Sequence, residues 1–294
     1  MKKYLIVGAS GFIGGNVLNI LPNNIDIIIV TTNKKKINKI IKNKSFFKYS
    51  IKNYNFISTK NKIIIQNLDI VINCTGAYPK KNNNKELIFL NYKFPKLLYN
   101  LSIGKKSKKF ININTLLKNQ KSNYVKYKHK LSDYFKSKLS NTKVLDLHVG
   151  HLYGDLNNEK EFIYSIIIKI LKGEKILKLT RGQQKRDFIH IKDFIRLLIL
   201  FLKKKIIRKY TKIEIGSSKS YSIKSVIILI KKIMSSNIVT NFGYLNYRKD
   251  EDFSMKSNTK NLVNIKWKPS INLATGIRSL MNEIKFKQFK IKKY

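Results

Sequence analysis

Tyr124 and Lys128 stand four residues apart in Tyr124-Val125-Lys126-Tyr127-Lys128, so on a helix their side chains leave the same face one turn apart. A free tyrosine ionises near pH ~10 and needs a nearby cation to trade a proton close to neutrality. Lys128 supplies that cation and has the length to reach a cofactor ribose. In a chain with 55 lysines such a pair means little alone. Its position gives it weight. It opens the helix that follows the strand Phe110–Asn114, and Thr115 at the end of that strand offers a hydroxyl to hold a substrate oxygen beside Tyr124. Tyr127 is the competing phenol, but its partner four residues on is Leu131. The chemistry is proton transfer to or from an oxygen, with Thr115, Tyr124 and Lys128 as the catalytic set.

A second cluster suits a phosphate. Gly8-Ala9-Ser10-Gly11-Phe12-Ile13-Gly14 places three glycines at i, i+3 and i+6 between an apolar strand and a helix. Glycines there permit a tight turn and close approach of the backbone to a pyrophosphate, which the helix N-terminus then attracts. The bland alternative is an ordinary strand–helix turn. Gly8, Ser10, Gly11, Phe12, Ile13 and Gly14 are therefore expected to hold a dinucleotide. The end of the second strand selects its type, since a ribose 2′-OH wants a carboxylate and a 2′-phosphate wants hydroxyls and cations. Val30-Thr31-Thr32-Asn33-Lys34-Lys35-Lys36 contains no acid. NADP(H) is favoured over NAD(H), with Thr32 and Lys34 as contacts. The missing acid is the stronger half of that argument, because lysine is everywhere in this chain.

The elements that must position these residues read as α/β. Apolar strands at Tyr4–Val7, Asp26–Thr31, Ile70–Cys74, Lys109–Asn114 and Val144–Val149 alternate with helical stretches, which is the pattern of a parallel sheet. A weaker strand is expected within Lys62–Ile65 or Phe56–Ile57. Helices are expected at Phe12–Leu21, Glu86–Ile103, Tyr124–Ser140, Glu161–Lys172, Lys192–Lys203, Ile223–Met234 and Ala274–Lys285, and later strands at Ile176–Leu179 and Lys212–Ile215. The expected fold is a Rossmann-like doubly wound parallel sheet with a smaller mixed α/β substrate lobe. Residues 1–155 plus 187–217 would form the NAD(P)-binding domain, and 156–186 plus 218–294 the substrate lobe.

Composition sets the exclusions. The chain has 294 residues, of which 43% are hydrophobic, enough for a sizeable core. One cysteine, Cys74, rules out a disulfide framework and suggests a reducing compartment. The four histidines form no HExxH pair, and no metal is expected. The longest apolar run, Leu197–Leu202, is far short of a membrane span. Met1-Lys2-Lys3 and the apolar residues after it mimic a signal peptide, but four glycines interrupt them, so a cytoplasmic protein is expected. The net charge of +45 would attract phosphates non-specifically. Lysine, asparagine and isoleucine are inflated together throughout, which reads as a drifted background and not a specific nucleic-acid surface. Only six of the 61 basic residues are arginine.

Taken in order, the glycine loop, Thr115/Tyr124/Lys128, His151-Leu152-Tyr153-Gly154, Arg186-Asp187-Phe188-Ile189-His190-Ile191-Lys192-Asp193, Phe242 to Glu251 and Trp267-Lys268-Pro269 resemble the extended short-chain dehydrogenase/reductases that act on nucleotide sugars. The resemblance covers almost the whole chain. Within that family the chain looks most like the 4-keto sugar reductases of the CDP-abequose/paratose synthase type. It departs from the family pattern at His148, where arginine is usual. The resemblance implies a nucleotide-sugar substrate, with Arg186 and Arg248 gripping its diphosphate. Arginine's planar fork suits phosphate oxygens, although a salt bridge of Arg248 to Glu251 is the plainer alternative. Tyr153 and Phe162 are open between packing on the ligand and ordinary core, and His190 is expected to be structural. The implied reaction is NADPH-dependent reduction of a 4-keto group in a deoxy nucleotide sugar for surface polysaccharide or O-antigen synthesis. A 4-epimerase with tightly bound NAD and a catalytically silent NADP-binding relative are the alternatives. Thr115 is followed by Leu116-Leu117, which cannot move a proton, so a dehydratase is not expected. Self-association into a homodimer stays open.

Overall fold

Runs of isoleucine and valine, stiff at χ1 and suited to a pleated, fully buried surface, build the central sheet. The computed structural model describes residues 2–42, 44, 46, 48–52, 68–78, 84–104, 106–156 and 160–291. Its strands are β1 (Lys2–Val7), β2 (Ile25–Val30), β3 (Lys48–Lys52), β4 (Ile70–Asn73), β5 (Lys109–Thr115), β6 (Lys143–Val149) and, late in the chain, β11 (Tyr210–Ile215). They form one seven-stranded sheet in the order β11-β6-β5-β4-β1-β2-β3. The pairs from β3 across to β5 run parallel, with Leu5 facing Ile28 on one side and Val71 on the other. This is the expected doubly wound α/β sheet, and its order reverses on either side of β1. Such sheets bind ligands at that reversal, beyond the carboxyl ends of the strands.

The helices are α1 (Phe12–Ile20), α2 (Lys34–Ile41), α3 (Asn84–Ile88), α4 (Phe94–Gly104), α5 (Asn123–Ser137), α6 (Phe162–Leu171), α7 (Ile191–Lys203), α8 (Ile223–Ile233), α9 (Lys260–Val263) and α10 (Leu273–Ile291). A π-helical turn, Phe89–Lys93, joins α3 to α4. The short strands β7 (His151–Tyr153) and β10 (Phe188–His190) pair in parallel, as do β8 (Ile176–Leu179) and β13 (Val239–Phe242). β9 (Lys185–Arg186) pairs antiparallel with β12 (Tyr221–Ser222).

Two differences from the sequence pattern have physical causes. The lysines after β2 begin a helix, because the Asn33 side chain accepts the Lys36 amide and caps α2. The edge strand β3 lies at 48–52 and carries Lys48 and Lys52, charge of the kind that blunts a sheet edge. The strand looked for at 56–57 or 62–65 falls outside the described residues.

The chain divides into two compact units, one of residues 1–115, 120–148 and 198–213, the other of 116–119, 149–197 and 214–294. The expected boundaries placed 149–155 and 187–197 with the first. Pairing of β7 with β10 carries both segments into the second. The first unit's core gathers Leu5, Val7, Val30, Val71, Leu98, Tyr99, Phe110, Leu131 and Phe135. The second centres on Ile163, Ile167, Val226, Ile227, Ile230, Ile277 and Leu280. Tyr153 is buried in that second core and Phe162 packs against it, so both are core residues here. His190 is buried beside Gly154, and its Nδ1 accepts the Lys192 amide. No helix among the described residues is long and apolar enough to cross a membrane.

Candidate active site

The glycine loop joins β1 to α1 at the reversal of the sheet. Gly8 has φ +77°, and a Cβ there would lie 2.8 Å from the carbonyl of Cys74. A Cβ on Gly14 would lie 2.3 Å from the Gly8 oxygen, so only glycine lets α1 approach β1 this closely. Gly11 caps α1 with no side-chain hydrogen bond, which leaves the first-turn N–H groups to an anion. The cradle fits a dinucleotide pyrophosphate, with Gly8, Ser10, Gly11, Phe12, Ile13 and Gly14 around it. Beyond β2, Thr31, Thr32, Asn33, Lys34 and Lys35 line a crevice of about 390 Å³, with no carboxylate in its wall among the described residues.

Thr115 ends β5 and Tyr124 sits in the first turn of α5, both buried. A hydrogen bond joins their side chains, and Tyr78 also hydrogen-bonds Tyr124 while stacking on it at 4.7 Å between ring centroids. Burial, and then the Tyr78 phenol, push the Tyr124 phenol well above its ordinary range, and the bond to Thr115 offsets only part of this. Tyr124 is therefore a proton holder at neutral pH. Tyr127 points elsewhere, against Tyr92.

Lys128 is buried one turn beyond Tyr124, and its Nζ donates to Thr75 O and Ile113 O, each at 2.9 Å. Burial lowers its pKa to about 8, opposed by the charge of Asp146. The cation expected to act on the phenol is thus turned toward two backbone carbonyls. It also lies about 3.5 Å from where a Gly76 Cβ would be, at the end of β4.

The sequence did not single out the parts that hold these residues. Asn91, in the π-helical turn, bonds both the N–H and C=O of Ala77 and so fixes the loop carrying Tyr78. Behind the site, Asn73 donates to Asn112, and Asn112 donates to Asp146, each at 2.7 Å. This polar row runs through β4, β5 and β6 in the middle of the sheet. Asp146 was the detectable signal, as the lone carboxylate in the apolar strand Val144-Leu145-Asp146-Leu147. Tyr78 left none among 16 tyrosines.

In the second unit, Arg186 and Arg248 meet on one carboxylate. Arg186 Nη2 pairs with Glu251 Oε1, Arg248 Nε lies 3.4 Å from Glu251 Oε2, and Arg186 Nη1 also donates to the Asp252 carbonyl. Glu251 thus brings together the two arginines read as diphosphate ligands. Cys74 is a free thiol that burial pushes up to about 12, an inert neighbour of the loop.

The parallel sheet, its glycine cradle and the Thr–Tyr–Lys set define a Rossmann-type nucleotide enzyme. Residues 4–216 match the model of the NAD dependent epimerase/dehydratase family, and the chain belongs to that family. It is similar to the CDP-abequose synthase of Salmonella typhimurium, with 26% identity over 97% of this chain and 99% of that one. The CDP-abequose synthase of Salmonella muenchen is 23% identical over 96% and 97% of the two chains. Among solved structures, the UDP-glucuronic acid 4-epimerase of Bacillus cereus, in complex with UDP-glucuronic acid and NAD, superposes with a TM-score of 0.82. It is 21% identical and covers 97% of this chain and 99% of that one. Membership makes this chain an enzyme of the epimerase/dehydratase type with an NAD(P)-type cofactor.

Proposed function

We propose that the chain reduces the C4 ketone of a deoxy nucleotide sugar at the expense of NADPH, supplying a precursor for surface polysaccharide or O-antigen. The observation that carries this reading is the placement of the Tyr124 phenol, buried and held between Thr115 and Tyr78. A phenol kept above its usual pKa suits an acid that protonates a developing alkoxide. It suits less well a base that must first take a proton from a sugar hydroxyl. The full-length similarity to CDP-abequose synthases supports the same reading.

A bound nicotinamide cofactor would supply hydride to the C4 carbonyl carbon. The chain does the rest. Tyr124 gives its proton to the C4 oxygen, and Thr115 orients that oxygen. The glycine cradle binds pyrophosphate, Lys128 binds the nicotinamide-side ribose, and Thr32 and Lys34 receive the 2′-phosphate. Arg186 and Arg248 take the substrate diphosphate in place of Glu251. The carboxylate-free crevice after β2 supports NADPH over NADH. Leu116 and Leu117 follow Thr115 with nothing to move a second proton, which argues against dehydration.

The test is NADPH oxidation by purified protein across a panel of CDP-, dTDP-, UDP- and GDP-linked 4-keto sugars. Turnover with at least one supports the reading. Interconversion of C4 epimers by protein that retains NAD would establish the epimerase instead. Tight NADPH binding without turnover on any sugar would identify a silent relative.

A further inference from the structure

The polar cluster behind Thr115 contains a histidine whose surroundings dictate its protonation. Asp146 is fully buried in β6. Its Oδ1 accepts from Asn112 (2.7 Å) and Asn114 (3.1 Å), and its Oδ2 accepts from Ser132 (2.5 Å) and Tyr210 (2.9 Å). A carboxyl receiving this many donors is ionised, and these bonds, with the neighbouring His148, hold it well below the usual carboxylate range despite its burial. His148 Nε2 lies 2.9 Å from the same Oδ2. On the far side of the ring, Nδ1 lies 3.1 Å from the Thr115 carbonyl. A carboxylate and a carbonyl both only accept, so both ring nitrogens must carry hydrogen, and a neutral imidazole has only one. Ser132 Oγ is 3.4 Å from Nε2, but its own proton is already committed to Asp146 at 2.5 Å.

We infer that His148 is a resident imidazolium which, paired with Asp146, grips the Thr115 carbonyl and sets the end of β5 where the Thr115 hydroxyl meets Tyr124. His148 is a positioning residue: it touches the backbone of Thr115 and acts through that residue. The same carboxylate extends the arrangement to α5, because Asn114 bonds Asp146, Ser132 Oγ and the Lys128 carbonyl. The buried Asp146 carboxylate therefore ties down two members of the catalytic set, Thr115 on β5 through His148 and the Lys128 turn of α5 through Asn114. Of the other titratable groups around the pair, His129 on α5 faces His148, Lys212 on β11 acts on His129, and Lys128 on α5 and Tyr210 on β11 interact with Asp146. The His129 ring lies 5.8 Å from the His148 ring between centroids. Among the described residues the carboxylate meets the ring at Nε2, and Nδ1 meets the Thr115 carbonyl.

The decisive experiment is nitrogen-15 NMR of histidine-labelled full-length protein at neutral pH, with His148 assigned by its absence in His148→Phe. Two protonated, slowly exchanging ring nitrogens are expected for His148. A neutral tautomer, with either nitrogen unprotonated, overturns the inference, and this arm needs no substrate. The second arm rests on the proposed reduction. His148→Phe keeps the ring shape without donors and should lower kcat on the order of 10- to 100-fold, as a displaced catalytic group does, with NADPH affinity unchanged. Wild-type kcat in that variant would overturn the positioning role even if the imidazolium is found. If no keto sugar is turned over at all, the proposed function has failed and the NMR result still decides the charge state.

Discussion

Tyr124→Phe separates catalysis from folding because the structure makes the two effects unequal. The phenylalanine keeps the ring stacked on Tyr78 and the burial of the helix face, and only the hydroxyl is lost. That hydroxyl bonds Thr115 and Tyr78. At about 1 kcal/mol for each hydrogen bond, the variant loses roughly 1–2 kcal/mol of stability. For a chain of this size that corresponds to a fall in Tm of about 2–8 °C. The reaction loses its acid, which is worth about 10²–10⁴ in rate, or roughly 3–5 kcal/mol of transition-state stabilisation. Thermal unfolding, NADPH titration and NADPH oxidation with a 4-keto nucleotide sugar measure the three quantities on one preparation. The expected pattern is a small loss of Tm, unchanged cofactor affinity and a hundredfold or larger fall in kcat. Tyr127→Phe, whose ring rests on Tyr92, should leave turnover unchanged. Full activity in Tyr124→Phe with loss in Tyr127→Phe would refute the reasoning.

Gly14→Ala places a methyl 2.3 Å from the Gly8 oxygen, so dinucleotide affinity measured by calorimetry should fall at least tenfold, on the order of 1.4 kcal/mol or more. NADPH should bind several-fold more tightly than NADH, and Lys34→Glu should narrow or reverse the preference; equal affinities in the wild type would return Lys34 to the solvated surface. Lys128 has a folded pKa near 8 against 10.5 unfolded. Between those values the unfolded chain binds the extra proton, so stability rises as pH rises. Urea unfolding at about pH 8 and 9.5, below most tyrosine ionisation, should show that rise, and Lys128→Met should lose part of it. Asp146→Ala removes the acceptor of the whole cluster and should cost about 3–5 kcal/mol in the same assay, since it strands the donors of His148, Ser132 and Tyr210.

The glycine loop, β1, β5 and α5 were legible because local periodicity and residue type decide them: an apolar strand, a glycine turn, and a Tyr–Lys pair on one helical face. Other parts depend on partners far along the chain. Asp146 reads as an isolated carboxylate until β5, α5 and β11 bring Asn112, Asn114, Ser132 and Tyr210 to it. Tyr78 joins the site through Asn91, whose amide grips Ala77 from a π-helical turn that no sequence period announces. The Lys34–Lys36 run was read only for its charge, and the Asn33 cap makes it the start of α2. The Lys128 ammonium was expected beside the phenol. The carbonyls of Thr75, just past β4, and Ile113, within β5, hold it instead.

The central claim is a net reduction at C4. The most direct measurement incubates purified protein with a 4-keto-6-deoxy nucleotide sugar and NADPH, and counts cofactor oxidised against C4 alcohol formed by mass spectrometry. The account predicts one NADPH consumed for each alcohol, with deuterium from labelled NADPH appearing at C4. Protein that retains NAD and interconverts C4 epimers, with no net change in nicotinamide absorbance and no label at C4, would contradict it.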